Sequence, residues 1–158
     1  IESNLGCRTT LTICSLENQN LRVFQVGDSG AFLVGQKGKL KFKTLFQSPV
    51  GYGLEAGLIN ENEALNHPDL HQVSNLMGEG EMHIHMGPEL KINPRDTLFL
   101  ASDGFFDNLN IDELSEIVRK GKLEDVYKGL ISIFSEDKLK SLKKPDDASF
   151  ILCRCKND

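Results

Sequence analysis

An apolar run that ends in acid residues is the strongest constraint on how this chain can fold. Residues 98–101 (LFLA) are all apolar, and such a run without polar alternation is typical of a strand buried on both faces. The chain then turns through Ser102-Asp103-Gly104, and a second carboxylate, Asp107, follows at once. The sequence therefore predicts a core strand whose end carries two acids.

The first 45 residues predict four more strands. Alternating or β-rich segments are separated by short polar turns, which is typical of an antiparallel meander. After them, residues 48–58 hold three glycines and a proline, which predicts an irregular surface segment. The four predicted strands are residues 9–16, 21–26, 31–35 and 39–45.

The rest of the chain predicts helices and a closing strand. Asn60 with Glu63, and Asn110 with Glu113, have the spacing of capping boxes, so each pair predicts the start of a helix. A second amphipathic helix is predicted over residues 123–134 from apolar residues at helical spacing. The remaining predicted strands are residues 82–86 and 148–155. Strands, then helices, then a strand that returns to the sheet predict an α+β domain.

Composition excludes several classes of function. The 158 residues are the size of one domain, and a net charge of −5 argues against a nucleic-acid binder. The basic stretch at residues 138–144 reads as a solvated loop face. No apolar run is long enough to cross a membrane, so we expect a cytoplasmic protein with no membrane partner.

Cysteine and histidine residues raise a zinc alternative. Their closest pairs are two residues apart, which is not the spacing of structural zinc sites. Buried thiols in a reduced cytosolic domain are the favoured interpretation, and zinc stays open as a lesser one. The residues concerned are Cys7, Cys14, Cys153, Cys155, His67, His71, His83 and His85.

Aspartates stand at strand ends in three places: Gly27-Asp28, Asp103 with Asp107, and Asp146-Asp147. Each alone is ordinary turn chemistry. If the strands are neighbours in one sheet, however, the carboxylates gather at one edge and would repel each other unless a cation lies between them. Hard oxygen ligands suit Mg²⁺ or Mn²⁺, and two such ions about 3.5–4 Å apart can activate water for attack on phosphorus. The residues alone indicate an acidic metal site, hydrolytic if it is catalytic.

Five stretches in order resemble the metal-dependent protein phosphatases of the PPM family (type 2C). The fit spans nearly the whole chain and includes the bacterial type of flap. The stretches are GCRTTLT, VFQVGDSGAFLV, AGLINENEALNHPDLHQVSNLMG, PRDTLFLASDGFFDNL and PDDASFILCRC. The resemblance implies an antiparallel β-sandwich flanked by helices. It also implies hydrolysis of phosphoserine and phosphothreonine in proteins by metal-activated water, with two or three Mg²⁺ or Mn²⁺ ions in the complete domain.

The resemblance also implies roles for individual residues. Asp103 and Asp146 would be ligands of the binuclear metal centre, and Asp107 and Asp28 would belong to a third, weaker metal site. Gly104 would let the backbone turn beside the metal, and Gly27 would do the same at Asp28. His67 and Pro68 would belong to the flap that borders the substrate cleft, with a structural rather than catalytic histidine.

The sequence departs from the family pattern in two respects that concern the expected site. The D-G-[HM]-G-G motif, the early E-D pair and the upstream arginine of the family do not occur in residues 1–158. Ser29-Gly30 stands where the family has S-R. We therefore expect a partial phosphatase domain that lacks its N-terminal portion, weakly active or inactive by itself and prone to self-association. The alternative is a pseudophosphatase that serves as a protein-binding module.

Overall fold

Two antiparallel sheets form the framework of the computed structural model, which describes residues 6–134, 144 and 146–155. In the first sheet β2 lies centrally and pairs with the other three strands. Its strands are β1 (Leu11–Glu17), β2 (Asn20–Val26), β5 (His85–Met86) and β6 (Leu90–Lys91). The second sheet has the order β4-β3-β7-β8. Its strands are β3 (Gly30–Val34), β4 (Leu40–Lys43), β7 (Thr97–Ala101) and β8 (Phe150–Arg154).

Helices flank these sheets and begin where the capping pattern predicts. Asn60 and Asn110 each accept a hydrogen bond from the backbone of the glutamate three residues on, and both capping boxes are complete. No helix in the described part of the chain is long and apolar enough to cross a membrane. The helices are α1 (Pro49–Glu55), α2 (Glu61–Leu65), α3 (Asp103–Phe106), α4 (Ile111–Val118) and α5 (Leu123–Ile133).

The second sheet is covered on both faces because alternate side chains of a strand point to opposite sides. Phe32 and Phe99 join the core on the helix side. Leu33 and Leu98 join a smaller core with side chains of β2. The prediction of a strand buried on both faces is therefore confirmed for β7, and so is the α+β sandwich. The helix-side core also contains Val34, Ala101, Phe105, Phe106, Ile111, Leu114, Val118, Val126 and Leu130.

The predicted four-strand meander is wrong. The β1–β2 hairpin lies in one sheet and the β3–β4 hairpin in the other. Residues 27–29 carry the chain between the sheets, and Gly27 has a φ of +99°, which glycine adopts at little cost. The short turn at Gly27 thus moves the chain into the other sheet rather than reversing it within one.

The predicted irregular segment at residues 48–58 is also wrong over most of its length, because it contains α1. Ser48 caps this helix by accepting a hydrogen bond from the backbone of Gly51 at 2.9 Å, and Pro49 starts its first turn. A Cβ on Gly51 would lie 2.2 Å from the carbonyl oxygen of Phe46. This glycine therefore permits close packing against the preceding loop.

Smaller differences concern short elements. Only the last two residues of the strand predicted at 82–86 are in a strand, and β6 and α3 were not predicted. Of the basic stretch at residues 138–144, only Lys144 is among the described residues. Buried thiols were expected, but Cys7 and Cys153 are exposed, Cys153 because it lies on the edge strand β8. Burial, helped by Cys153, raises the pKa of the Cys14 thiol to about 12.

We predict that Phe99→Ala lowers the free energy of unfolding of the full natural chain by about 3–5 kcal/mol, because it leaves a cavity in the helix-side core. The Phe99 ring is fully buried, and its centroid lies 5.3 Å from that of Phe32 and 5.5 Å from that of Phe105. Urea unfolding measures the change. Leu58→Ala is the control, since Leu58 is 80% exposed, and it should stay within about 0.5 kcal/mol of the unsubstituted protein. Similar losses from both substitutions would contradict this role for Phe99.

Candidate metal centre

Residues 27–29 form the link between the two sheets, and hydrogen bonds with buried amide side chains hold the backbone on both sides of Asp28. The Gly27 backbone N–H donates to Oε1 of Gln47 at 2.6 Å. Nε2 of Gln25 donates to the carbonyl oxygens of Gly27 and Ser29 at 3.1 and 2.9 Å. Gln25 and Gln47 are both almost fully buried. The backbone on either side of Asp28 is therefore fixed, which limits where its carboxylate can lie.

The other central acids come from α3, which follows β7 after one residue. Asp103 begins this short helix and Asp107 is its C-cap residue, whose backbone N–H donates to the Asp103 carbonyl at 2.8 Å. Residues four apart on a helix lie on the same side. Between them, a Cβ on Gly104 would lie 2.6 Å from the carbonyl oxygen of Asp147. Gly104 thus allows α3 to approach the chain that leads into β8.

Lys144 reaches these carboxylates from the segment before β8. Its Nζ donates to Oδ2 of Asp107 and lies 3.8 Å from Oδ2 of Asp103. The Asp107 side chain is about 10% exposed, and those of Lys144 and Asp103 are 28% and 33% exposed. An ammonium group therefore sits against two acids that the sequence assigned to a metal site.

Asp28 interacts electrostatically with Asp103, Asp107 and Lys144. Burial raises the pKa of Asp28, and the Asp103 charge raises it further. Burial also raises the pKa of Asp107, to about 6, although Lys144 opposes this; Asp103 and Asp28 add to the increase. Burial disfavours the charged form of Lys144, but Asp107, Asp103 and Asp146 outweigh it and raise the Lys144 pKa. Negative charge is concentrated here, as the sequence predicts.

Asp146 lies at the rim of this group rather than inside it. Its side chain is exposed, and Oδ1 accepts a hydrogen bond from the Asp147 backbone N–H at 2.8 Å. The Asp146 charge also contributes to the raised pKa of Lys144, after those of Asp107 and Asp103. The structure thus brings Asp28, Asp103 and Asp107 together and places Asp146 beside them.

A cavity of about 70 Å³ adjoins the acids. Asp28 and Asp107 line it together with apolar side chains such as Leu65 and Leu70. His67 and Pro68 are not among its lining residues. Nδ1 of His67 accepts a hydrogen bond from the Asp69 backbone at 3.1 Å, which is a local structural contact.

The donor chemistry fits a hard divalent cation, but the number of donors does not complete a site. Carboxylate oxygens are the ligands that Mg²⁺ and Mn²⁺ prefer. Yet across residues 6–134, 144 and 146–155, no three side chains of Asp, Glu, His or Cys are arranged to hold a metal ion. These residues could therefore supply part of a metal site, and further ligands would have to come from elsewhere.

Several residues of the site were missed from the sequence. The lysine-rich composition around Lys144 predicts a solvated loop face, which is wrong for this residue because it is half-buried against Asp107. Asn108 holds the Lys144 backbone, and Gln47 and Asn75 share a buried hydrogen bond of 2.7 Å beneath the link. Capping or spacing rules give no signal for such contacts, because they join residues far apart in the chain.

Comparison with solved structures defines the class of fold. The chain superposes on the serine/threonine phosphatase Stp1 of Staphylococcus aureus with a TM-score of 0.80 and 24% identity, covering 96% of this chain and 58% of that one. The phosphatase PstP/Ppp of Mycobacterium tuberculosis gives 0.79 and 22%, covering 96% and 62%. The catalytic domain of PstP in complex with two manganese ions gives 0.73 and 20%, covering 95% and 60%. This chain has the fold of the PPM serine/threonine phosphatases, which confirms the fold predicted from the sequence.

A curated relative extends the likeness to the sequence. The serine/threonine phosphatase stp of Listeria welshimeri is 29% identical over 129 residues, which make up 81% of this chain and 47% of that protein. The chain thus spans about half the length of this relative. No family model matches the chain. The resemblance to PPM phosphatases that the sequence motifs indicate is confirmed by this relative together with the fold.

We predict that Gly104→Ala destabilises the full natural chain by about 1–3 kcal/mol, because the added methyl group would force α3 away from the Asp147 carbonyl. Gly129→Ala in α5 is the matched control. No heavy atom lies within 4 Å of a Cβ at Gly129, so alanine there should raise stability by about 0.5–1 kcal/mol. Thermal unfolding of both variants measures the difference. Equal effects at the two positions would show that Gly104 has no special packing role.

Proposed function

We propose that this chain is the C-terminal part of a Mg²⁺- or Mn²⁺-dependent protein serine/threonine phosphatase. The observation that carries the proposal is the convergence of Asp28, Asp103 and Asp107 around a cationic group. These acids stand at strand ends of two different sheets, in a fold shared with serine/threonine phosphatases. Carboxylates gathered in this way are suited to metal-dependent chemistry on phosphate.

In this proposal Asp103 and Asp146 are the ligands that the chain contributes to a binuclear metal centre. Asp107 and Asp28 belong to an outer cation site beside it. The position of Asp103 in the first turn of α3, directly after buried β7, supports the assignment, because a metal ligand must be held by rigid surroundings. Gly104 supports it as well, since its lack of a side chain brings Asp103 close to the segment that carries Asp146.

A bound Mg²⁺ or Mn²⁺ pair would supply an activated water and a charge clamp for phosphorus. The chain's own residues would fix where that chemistry occurs. Asp28 and Asp107 set the negative charge of the cleft, and the buried Gln25 and Gln47 keep the Asp28 backbone in place. The apolar flap residues that line the adjoining cavity would limit access of bulk water on that side.

The described residues provide only part of a metal site, and we propose that the whole protein supplies the remaining ligands. The D-G-[HM]-G-G motif is absent from the sequence. The described acids also do not enclose a metal ion by themselves. The chain covers about three fifths of the PstP/Ppp structure, which leaves room for a segment that carries further ligands.

The substrate would be a phosphoserine or phosphothreonine protein, and the compartment the cytoplasm. Self-association of the isolated chain stays a prediction. Exposed apolar side chains of Ile13, Leu16 and Ile151 line a cleft beside the sheet edges β1 and β8 and support it. A pseudophosphatase binding module is the alternative. The comparisons do not favour it, because the relatives reported above are named as phosphatases.

We predict that the full natural chain hydrolyses p-nitrophenyl phosphate and a phosphothreonine peptide with Mn²⁺, and that Asp103→Asn reduces turnover at least ~100-fold through loss of metal binding. Asp112→Asn is the matched control, since Asp112 is an exposed acid in the first turn of α4. It should retain full turnover. Unchanged turnover in Asp103→Asn would refute the assignment of Asp103.

Residues 1–158 alone should bind Mn²⁺ weakly and show little or no turnover, because the described residues provide only part of a metal site. Isothermal titration with Mn²⁺ and the same phosphatase assay check both points. Mn²⁺-dependent turnover by residues 1–158 that Asp103→Ala abolishes would overturn the view that a further segment is needed.

A further inference from the structure

We propose that Lys144 is an internal cation that takes the place of the outer divalent metal ion at Asp107 and Asp28. The inference rests on the proposed function only in that it takes these two acids as an outer cation site. The contacts of Lys144 itself stand on the structure. The consequence is that the protein binds one divalent ion fewer per chain than its carboxylates would otherwise accept.

The first support is where the ammonium group lies. Nζ of Lys144 donates directly to Oδ2 of Asp107 and is 3.8 Å from Oδ2 of Asp103. The Asp107 side chain is only about 10% exposed, so few water molecules can replace this contact. A metal ion coordinated by the same Asp107 oxygen would occupy the space of the ammonium. Lys144 and an outer metal ion at Asp107 therefore exclude each other.

The second support is that the backbone of Lys144 is anchored. Oδ1 of Asn108 accepts a hydrogen bond from the Lys144 N–H at 3.0 Å, and Nδ2 of Asn108 donates to the Lys144 carbonyl at 2.7 Å. The same Nδ2 donates to the Gly104 carbonyl at 2.9 Å. One side chain thus ties the lysine backbone to α3, which begins with Asp103 and is followed by its C-cap residue Asp107. The ammonium is held in place and is not a freely moving surface charge.

The third support is charge balance. Asp28, Asp103 and Asp107 would place three negative charges in a partly buried volume, and such a group needs a nearby cation. Among the described residues, Lys144 is the lysine or arginine that forms an ion pair with two of these acids. It supplies one fixed positive charge that does not depend on the divalent-ion concentration. Removing it should leave oxygens that a divalent ion can use.

The test counts bound Mn²⁺ in the full natural chain by equilibrium dialysis with elemental analysis. Lys144→Met should bind one more Mn²⁺ per chain than the unsubstituted protein. Adding Asp107→Asn to Lys144→Met should remove the extra ion. Lys120→Met is the matched control, because Lys120 pairs with the exposed Glu116 on α4, away from the acids. It should leave the count unchanged.

A second measurement follows the same exchange through stability. The melting temperature of Lys144→Met should rise with added Mn²⁺ more than that of the unsubstituted protein, because a ligand of the folded state stabilises it. Asn108→Ala keeps the lysine charge but releases its backbone. Its melting temperature should rise with added Mn²⁺ more than that of the unsubstituted protein and less than that of Lys144→Met. It replaces Lys144→Met as the test variant if Lys144→Met does not fold.

Equal or lower Mn²⁺ counts in Lys144→Met would overturn the inference, as would an extra ion that survives Asp107→Asn. Neither readout depends on turnover. An inactive protein that gains the ion would therefore support the role of Lys144 while contradicting the proposed phosphatase function. An active protein whose Lys144→Met variant gains no ion would support the phosphatase function and contradict the role of Lys144.

Discussion

Burial of the β3–β7 strand pair on both faces is the constraint on which the rest of the structure depends. Phe32 and Phe99, paired across these strands, have ring centroids 5.3 Å apart and form the floor on which α3, α4 and α5 pack. Leu33 and Leu98 seal the opposite face against the first sheet. Because β7 is fixed on both sides, the first residue after it that can carry a charge, Asp103, has a defined position. The chemistry of the site therefore begins with the packing of apolar side chains.

Local patterns in the sequence predicted the elements well and their arrangement less well. The capping boxes at Asn60 and Asn110 depend on contacts three residues apart, so the sequence contains all that is needed to find them. Contacts between residues close in the sequence do not determine whether two successive strands join the same sheet. The choice of sheet depends on the backbone conformation of Gly27 and on buried bonds from Gln47, which lies 20 residues away. A meander and a crossover therefore have the same local signature of polar turn residues.

Part of the candidate site could likewise be predicted from the sequence, and part could not. Its aspartates stand beside strand ends, where a carboxylate after an apolar run is visible in the sequence, and their convergence was predicted from that position. Lys144 and Asn108 could not be found by this reasoning, because their contact spans 36 residues. Lys144 also lies in a lysine-rich stretch whose composition indicates a solvated surface. Its partial burial results from tertiary packing that composition does not contain.

The link formed by Gly27, Asp28 and Ser29 has a mechanical consequence. One end of it is paired within the first sheet and the other within the second, so the position of the Asp28 carboxylate follows both. Asp103 and Asp107 move with the second sheet alone, because α3 follows β7 directly. Sliding of one sheet over the other would therefore change the distance between Asp28 and the two acids beside α3. The spacing of the carboxylates thus depends on the packing between the two sheets as well as on the link itself.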